Sequence, residues 1–143
     1  MPIPLHYIIM AFWLMKTEPS EFSYSDLERE KRAVWDGVTN NTAMIHIRAM
    51  RKGDRALIYH SGGEKSLVGL ADIDSDPYPD PKARDPKIVV VDIAPAGRLS
   101  MPVSLGTIKK EKEFASFPLV RISRLSVMPV PPALWKKLLA MAN

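Results

Sequence analysis

The alternation of apolar and polar positions predicts several short strands and a few helices. Phe12–Thr17 places apolar side chains on both faces, which is typical of a buried strand, and Pro19 ends it. Arg55–His60 and Ser66–Asp74 are predicted to form a hairpin across a glycine-containing loop. Ile88–Ile93 is a β-branched run and predicts a further strand.

Helical spacing predicts three helices. A short first helix runs through Asp26–Glu28, a second covers Thr42–Met50, and a last amphipathic helix opens at Pro131-Pro132. Side chains able to accept a hydrogen bond from the first helical N–H groups precede the first two helices. These candidate caps are Ser23, Ser25, Asn40 and Asn41.

The remaining segments give no regular alternation of strand and helix. Pro102–Phe117 is predicted to be a loop with a short helix around Leu105–Lys109, and Leu119–Val130 to carry one or two short strands. The order strand, helices, several strands, helix predicts an α+β fold built on a small, mostly antiparallel β-barrel with helices around it.

With 143 residues the chain suits a single domain. We expect this domain to span residues 10–143, with residues 1–9 as an extension. Two interpretations of the extension stay open: Met10 is the natural start, or the extension adds an edge strand. The apolar run up to Met15 is too short to cross a membrane.

Charge and composition narrow the function only slightly. Lys and Arg number 20 against 16 Asp and Glu, and the pI is near 9.4, which weakly favours a polyanionic partner. The absence of cysteine excludes disulfides, zinc–thiolate sites and cysteine nucleophiles, and fits an intracellular protein. We expect a monomer in the cytoplasm, or in the nucleus if the source is a eukaryote.

No metal, cofactor or catalytic site is predicted from the residues. His6, His46 and His60 are far apart in the sequence and lack ligand spacing. Asp72, Asp74 and Asp76 lack the calcium-loop pattern, so a solvated loop explains them better. His60 and Ser61 are adjacent on a strand and point to opposite faces, which places them poorly as base and nucleophile.

The three tryptophans differ in their sequence context. Trp13 lies in the buried first strand and Trp135 on the apolar stripe of the last helix, so core packing explains both. Trp35 is predicted to lie in a loop outside any periodic pattern. From the residues alone, packing is still the better interpretation of Trp35 than stacking on a ligand.

Six short motifs follow one another in a fixed order. They are Met10–Pro19, Trp35–Asn40, Gly53-Asp54, Tyr59–Ser61, Tyr78–Asp80 and Arg124–Val127. Together they resemble the EVE domain family. The resemblance covers the chain from about Met10 to its end. It implies a PUA-like fold, related to ASCH and YTH domains. It also implies binding of nucleic acid that carries modified bases, DNA or RNA, without catalysis or a cofactor.

The resemblance also implies the residues of a pocket for the base. They are Lys16, Thr17, Glu18, Trp35, Asp36, Asn40, Tyr59, His60 and Ser61. Two positions depart from the family pattern: Thr39 replaces an arginine, and Ala43–Ile45 replaces Ala-Arg-Asn. The residues expected to contact the nucleic-acid backbone are Arg48, Arg51, Lys52, Arg55 and Arg124.

The hypothesis for this pocket is that Trp35 stacks on the base and the Asn40 amide reads its edge. Trp35→Ala is then expected to abolish binding and to leave the fold intact. Two alternatives remain at this stage. One is an enzyme acting on a modified nucleoside or nucleic acid, with Asp36 and Glu18 as acid and base. The other is a sensor that binds a free nucleoside in the same pocket.

Overall fold

The computed structural model describes residues 10–143, so the interpretations of residues 1–9 fall outside it. The strands are β1 (Phe12–Thr17), β2 (Ala33–Trp35), β3 (Arg55–His60), β4 (Ser66–Ile73), β5 (Tyr78–Pro79), β6 (Val89–Ser104) and β7 (Val127–Pro129). The helices are α1 (Tyr24–Glu30), α2 (Asn41–Ala49), α3 (Leu105–Lys109), α4 (Pro118–Arg121) and α5 (Pro132–Met141), with a 3₁₀ turn at Lys112–Phe114.

One curled sheet holds all seven strands. Six of them run in the order β2-β6-β4-β3-β1-β7, and β5 pairs with β6. β1 and β3 are parallel, and the other pairings are antiparallel. Phe12 lies opposite Arg55 and Thr17 opposite His60, so β1 and β3 end at the same edge of the sheet. The predicted α+β class with a mostly antiparallel sheet is confirmed.

Local sequence signals account for the elements nearest this edge. β1 and β3 have the predicted bounds. Ser23 caps α1 and exchanges hydrogen bonds with Asp26 in a capping box. Asn40 caps α2 by accepting a hydrogen bond from the Ala43 N–H at 3.0 Å.

Three segments differ from the sequence-based expectation in part. β6 is 16 residues long and includes Pro102, which was predicted to lie in a loop. The proline is tolerated because β2 pairs with β6 only as far as Ile93, so one side of β6 has no partner strand beyond that point within residues 10–143. Trp35 ends strand β2 and does not lie in a loop. Pro118–Arg121 is helical, so Leu119–Val130 holds the end of a helix and one strand.

Tyr24, the first residue of α1, fixes that helix to the sheet. Its ring is fully buried, and its hydroxyl donates to the Leu70 carbonyl at 2.7 Å and accepts from the Gly97 N–H at 3.0 Å. Gly69 lies directly under the ring, since a Cβ at this position would come within 2.5 Å of the Tyr24 ring carbons. A side chain on residue 69 would therefore push α1 away from the sheet.

A buried carboxylate holds the start of β1. Asp54, in the turn before β3, is 6% exposed. It accepts hydrogen bonds from Trp13 Nε1 at 2.9 Å, from the Ala11 N–H at 3.2 Å and from the Arg51 N–H at 2.9 Å. Three donors satisfy the charge inside the protein, so Asp54 connects β1, β3 and the end of α2.

We expect Asp54→Ala to lower the free energy of unfolding by about 3 kcal/mol, because it leaves buried donors such as Trp13 Nε1 without an acceptor. Urea unfolding followed by circular dichroism measures the change. Asp76→Ala is the matched control, since exposed Asp76 accepts a single hydrogen bond, from the Lys52 N–H. Equal stability losses for the two variants would contradict the role given to Asp54.

Candidate functional site

An open cavity of about 640 Å³ lies where β1 ends, between the β2–α2 connection and the turn that precedes β7. This volume is in the range of small-molecule and cofactor sites. Six of the nine residues predicted to bind a base line the cavity. They are Lys16, Thr17, Glu18, Trp35, Asp36 and Asn40.

A tight turn after β1 forms one wall. The Glu18 carbonyl accepts hydrogen bonds from the N–H groups of Glu21 and Phe22, both at 2.9 Å. Thr17 Oγ1 donates to the Phe22 carbonyl at 2.7 Å. These bonds bring the half-buried Phe22 ring to the cavity, beside the end of β1.

The Glu18 carboxylate is held from two sides. Its Oε1 accepts hydrogen bonds from the N–H and the hydroxyl of Ser20, both at 3.0 Å. Gly62 approaches from the β3–β4 turn so closely that a Cβ there would lie 2.4 Å from Glu18 Oε2. Gly62 also has φ +78°, a conformation that favours glycine. The turn therefore fixes where this carboxylate points.

Trp35 and Asn40 reach the cavity from the opposite wall. The Trp35 side chain is 8% exposed, so most of its surface packs in the core and only a small part faces the cavity. Asn40 is exposed, and its Oδ1 is engaged in capping α2. The Asn40 amide therefore presents its NH₂ group, a donor, to the cavity more readily than its acceptor.

Lys16 supplies a cation at the floor of the cavity. Its Nζ donates to the Ser123 carbonyl at 2.9 Å and lies 5.7 Å from the centre of the Tyr59 ring. Burial of about half of the side chain lowers the pKa of Lys16 below its usual value, because the ammonium has lost water. An anion entering the cavity would replace part of that lost solvation.

Three carboxylates face the same space. Glu18, Glu21 and Asp36 line the cavity, and Asp36 Oδ2 lies 3.7 Å from the Nζ of Lys82 on the next loop. Carboxylate oxygens only accept hydrogen bonds, so this part of the cavity suits a ligand with amino or N–H groups.

The other predicted base contacts, Tyr59, His60 and Ser61, do not line the cavity and instead support its wall. His60 Nε2 accepts a hydrogen bond from the Tyr24 N–H at 3.0 Å, so its Nδ1 carries the proton and donates to Glu64 at 2.9 Å. The Ser61 N–H donates to the Thr17 carbonyl at 2.9 Å. Tyr59 is buried under Lys16.

Most of the predicted backbone contacts lie away from the cavity. Arg55 begins β3 and pairs with Asp72 at 3.5 Å, about 16 Å along the strand from His60. Arg51 donates to the carbonyls of Arg48 and Met50, so its guanidinium closes the end of α2. The predicted residues at the far end of β3 are Arg51, Lys52 and Arg55.

The two remaining predicted backbone contacts are Arg124 and Arg48. Arg124 lies in the turn between α4 and β7, two residues before Ser126, which lines the cavity. Arg48 Nη2 donates to the Lys87 carbonyl at 2.7 Å and thereby braces the loop that carries Lys82.

The described part of the chain was searched for a cluster of metal ligands and for a membrane-spanning helix. Between Met10 and Asn143, no group of three or more His, Asp or Glu side chains is arranged to hold a metal ion. Across the same range, no helix has the length and hydrophobicity needed to cross a bilayer.

Comparison with known proteins identifies the family of the chain. The EVE domain model matches residues 11–141. The chain belongs to the EVE domain family. Among curated relatives, thymocyte nuclear protein 1 of Rattus norvegicus is 30% identical over 153 residues, covering 83% of this chain and 68% of the rat protein. The mouse protein of the same name is 40% identical over 81 residues, and the matched region spans 36% of its length.

Solved structures share the EVE domain fold. A protein from Rhodopseudomonas palustris is 41% identical with a TM-score of 0.89, covering 93% of both chains. The human THYN1 protein in complex with DNA containing 5-methylcytosine is 26% identical with a TM-score of 0.85, covering 93% of this chain and 98% of the human one. An ASCH protein from Zymomonas mobilis, 12% identical with a TM-score of 0.58, shares the fold alone. The predicted PUA-like fold is confirmed.

Sequence reasoning missed part of the cavity lining of this EVE domain. The missed side chains include Glu21, Phe22, Val34, Val38 and Ser126. Val34 is 48% exposed although it is apolar and in a strand, and Phe22 lies between a proline turn and a capped helix. An aromatic residue in a turn next to a recognised motif is the signal that would have identified Phe22.

The burial of Trp35 changes the expected outcome of its truncation. We expect Trp35→Ala to lower the free energy of unfolding by about 3–5 kcal/mol, because it removes a large core side chain. Thermal and urea unfolding measure the loss. Asp36→Ala, at the next and exposed position, is the control, with an expected change within about 0.5 kcal/mol. A Trp35→Ala protein as stable as the wild type would restore the view that Trp35 serves only the ligand.

Proposed function

We propose that this EVE domain is a non-catalytic nucleic-acid-binding module that encloses a modified nucleobase in the cavity at the end of β1. The preferred base in this proposal is a modified cytosine. One observation carries the proposal. The cavity combines a small exposed part of the buried Trp35, an apolar wall and hydrogen-bonding groups, in a fold shared with a human protein solved with DNA that contains 5-methylcytosine.

The polar lining favours a base with an exocyclic amine. Glu18, Glu21 and Asp36 supply acceptors, and carboxylates accept from the amino group of cytosine. Asn40 adds an NH₂ donor for a ring nitrogen or carbonyl of the same base. Thymine and uracil lack the amine and would place a carbonyl oxygen, itself an acceptor, where cytosine offers a donor to the carboxylates.

The apolar lining suits a small added group. Phe22, Val34 and Val38 contribute the wall between the turn and the β2–α2 connection. A methyl group that reaches this wall leaves water for an apolar contact, which is worth about 0.8 kcal/mol for each buried carbon. That gain is enough to rank methylated over plain cytosine by a few-fold.

The energy balance requires more than the methyl group. Taking a base out of a duplex costs roughly a few kcal/mol. Stacking on an aromatic ring returns about 1–3 kcal/mol, and Phe22 and Trp35 are the aromatic side chains in the lining. Hydrogen bonds to the base edge supply the remainder, so discrimination should depend on the polar side chains.

The positions of the carboxylates favour binding over catalysis. Glu18 Oε1 already accepts two hydrogen bonds from Ser20, and Asp36 lies beside Lys82. The only hydroxyl bonded to either carboxylate is that of Ser20, and no third side chain among the described hydrogen bonds orients the Glu18–Ser20 pair, as a nucleophilic mechanism would need. An enzyme remains the rival, and a turnover assay on modified nucleosides tests it.

The first measurement is quenching of tryptophan fluorescence by short oligonucleotides that carry modified cytosine or modified adenine, beside unmodified controls. We expect quenching by one modified cytosine at the lowest concentration, because Trp35 lines the cavity. The affinity should fall as salt is added. Equal and weak quenching by all oligonucleotides would overturn the proposal.

Asn40→Asp separates recognition from folding. Aspartate caps a helix as well as asparagine does, so α2 should be retained, whereas the NH₂ donor is replaced by a negative charge. We expect the affinity for the modified oligonucleotide to fall by about tenfold to a hundredfold, since a good contact to a base edge is worth about 1–3 kcal/mol.

The matched control is Asn41→Asp, which makes the same change of charge one residue later at an exposed position that does not line the cavity. Thermal unfolding checks that both variants are folded. An equal loss of affinity in the two variants would show that the added charge, and not the Asn40 amide, is responsible.

A further inference from the structure

The excess positive charge of the chain is concentrated at its C-terminal end. Residues 105–143 carry seven basic side chains against two acidic ones, a net charge of +5, whereas the whole chain has +4. The first 104 residues therefore sum to −1. After Glu113 the sequence contains no acidic residue.

One part of this basic region reaches the cavity. It consists of the last residue of α4 and the turn that leads from α4 to β7, and we call it the basic turn (residues 121–126). The Ser126 carbonyl accepts from the Lys16 N–H at 2.8 Å, and the Ser123 carbonyl accepts from Lys16 Nζ at 2.9 Å. Arg121 and Arg124 are exposed on this turn, and neither forms an ion pair with a carboxylate within residues 10–143.

The opposite rim of the cavity is electrically balanced. The loop 80–88 carries Lys82, Arg84 and Lys87, but Asp80 and Asp85 lie in the same loop. A third acidic residue, Asp36, lines the cavity with its Oδ2 3.7 Å from Lys82 Nζ. Three positive charges face three negative ones on this side, whereas two positive charges stand alone on the basic turn.

We propose, on the basis of the function proposed above, that the ligand is a polymer and that the phosphates beside the enclosed base lie on the basic turn. Arg121 and Arg124 contact phosphate oxygens, and the Lys16 ammonium lies at the junction between the turn and the cavity. Acidic groups inside the cavity then face the base, and basic groups outside it face the backbone.

The far end of the sheet provides a comparison. Lys52 is exposed and lies three residues before the start of β3. The N–H of the next residue, Gly53, donates to the carbonyl of Ile73 at the end of β4. Lys136 is exposed next to Trp135, which stacks on Phe12 at the start of β1 with ring centres 4.4 Å apart. Both lysines lie about a strand length from the cavity, so a backbone held on the basic turn should not depend on them.

The experiment compares two double variants that each remove two positive charges. Arg121→Gln with Arg124→Gln changes the basic turn, and Lys52→Gln with Lys136→Gln changes the far end. The probes are a DNA duplex with one 5-methylcytosine, followed by fluorescence anisotropy over a range of salt concentrations, and the free nucleoside 5-methyl-2′-deoxycytidine, followed by tryptophan fluorescence. Thermal unfolding confirms that each variant is folded.

For the basic-turn variant we expect the slope of log K against log salt to become shallower by about 1.8, which corresponds to two lost phosphate contacts. The control variant should keep the wild-type slope, and Arg121→Lys with Arg124→Lys should keep most of it. Binding of the free nucleoside should be the same in all of these proteins.

Each other outcome removes a specific part of the inference. Equal slopes for the two double variants would show that the phosphates of the nucleic acid do not contact the basic turn. Salt-independent binding of duplex and nucleoside with equal affinity would show that the ligand is a nucleoside and not a polymer. A wild-type protein that binds neither probe would overturn the proposed function itself, and the inference would end with it.

Discussion

The position of β1 is the constraint on which the site depends. β1 lies between β3 and β7, and its start is fixed by the buried Asp54 carboxylate through Trp13 Nε1 and the Ala11 N–H. Because β1 and β3 are parallel and in register, fixing one end also fixes the other. A one-residue slip would exchange the two faces of β1 and remove Lys16 from the floor of the cavity.

Strong local signals made much of the fold predictable. β1, β3 and the capping box of α1 follow from side-chain pattern and chemistry within a few residues. β6 was predicted too short because a proline normally excludes a strand, and only the pairing of the whole sheet shows that one of its sides is open. The strand position of Trp35 likewise depends on β6, which is distant in sequence.

The candidate site was predicted only in part, because the contacts that place a side chain in the cavity or in its wall also depend on segments that are distant in sequence. A motif identifies residues that a family needs, but it does not separate those that face a ligand from those that hold the wall. His60 and Ser61 illustrate this, since their polar atoms bond to α1, to Glu64 and to the end of β1. Phe22 shows the converse, because its place in the lining follows from two hydrogen bonds in a turn that no periodicity predicts.

The contact between Tyr24 and Gly69 has a consequence for how a ligand is received. The turn that carries Phe22 to the cavity runs directly into α1, and α1 cannot shift while the Tyr24 ring lies on Gly69 with its hydroxyl bonded to two strands. The wall loses its conformational entropy when the protein folds, so binding of a ligand does not have to order it. A wall ordered in this way selects ligands strictly by shape. A base with a larger added group would clash with the wall, because the wall cannot move to accommodate it.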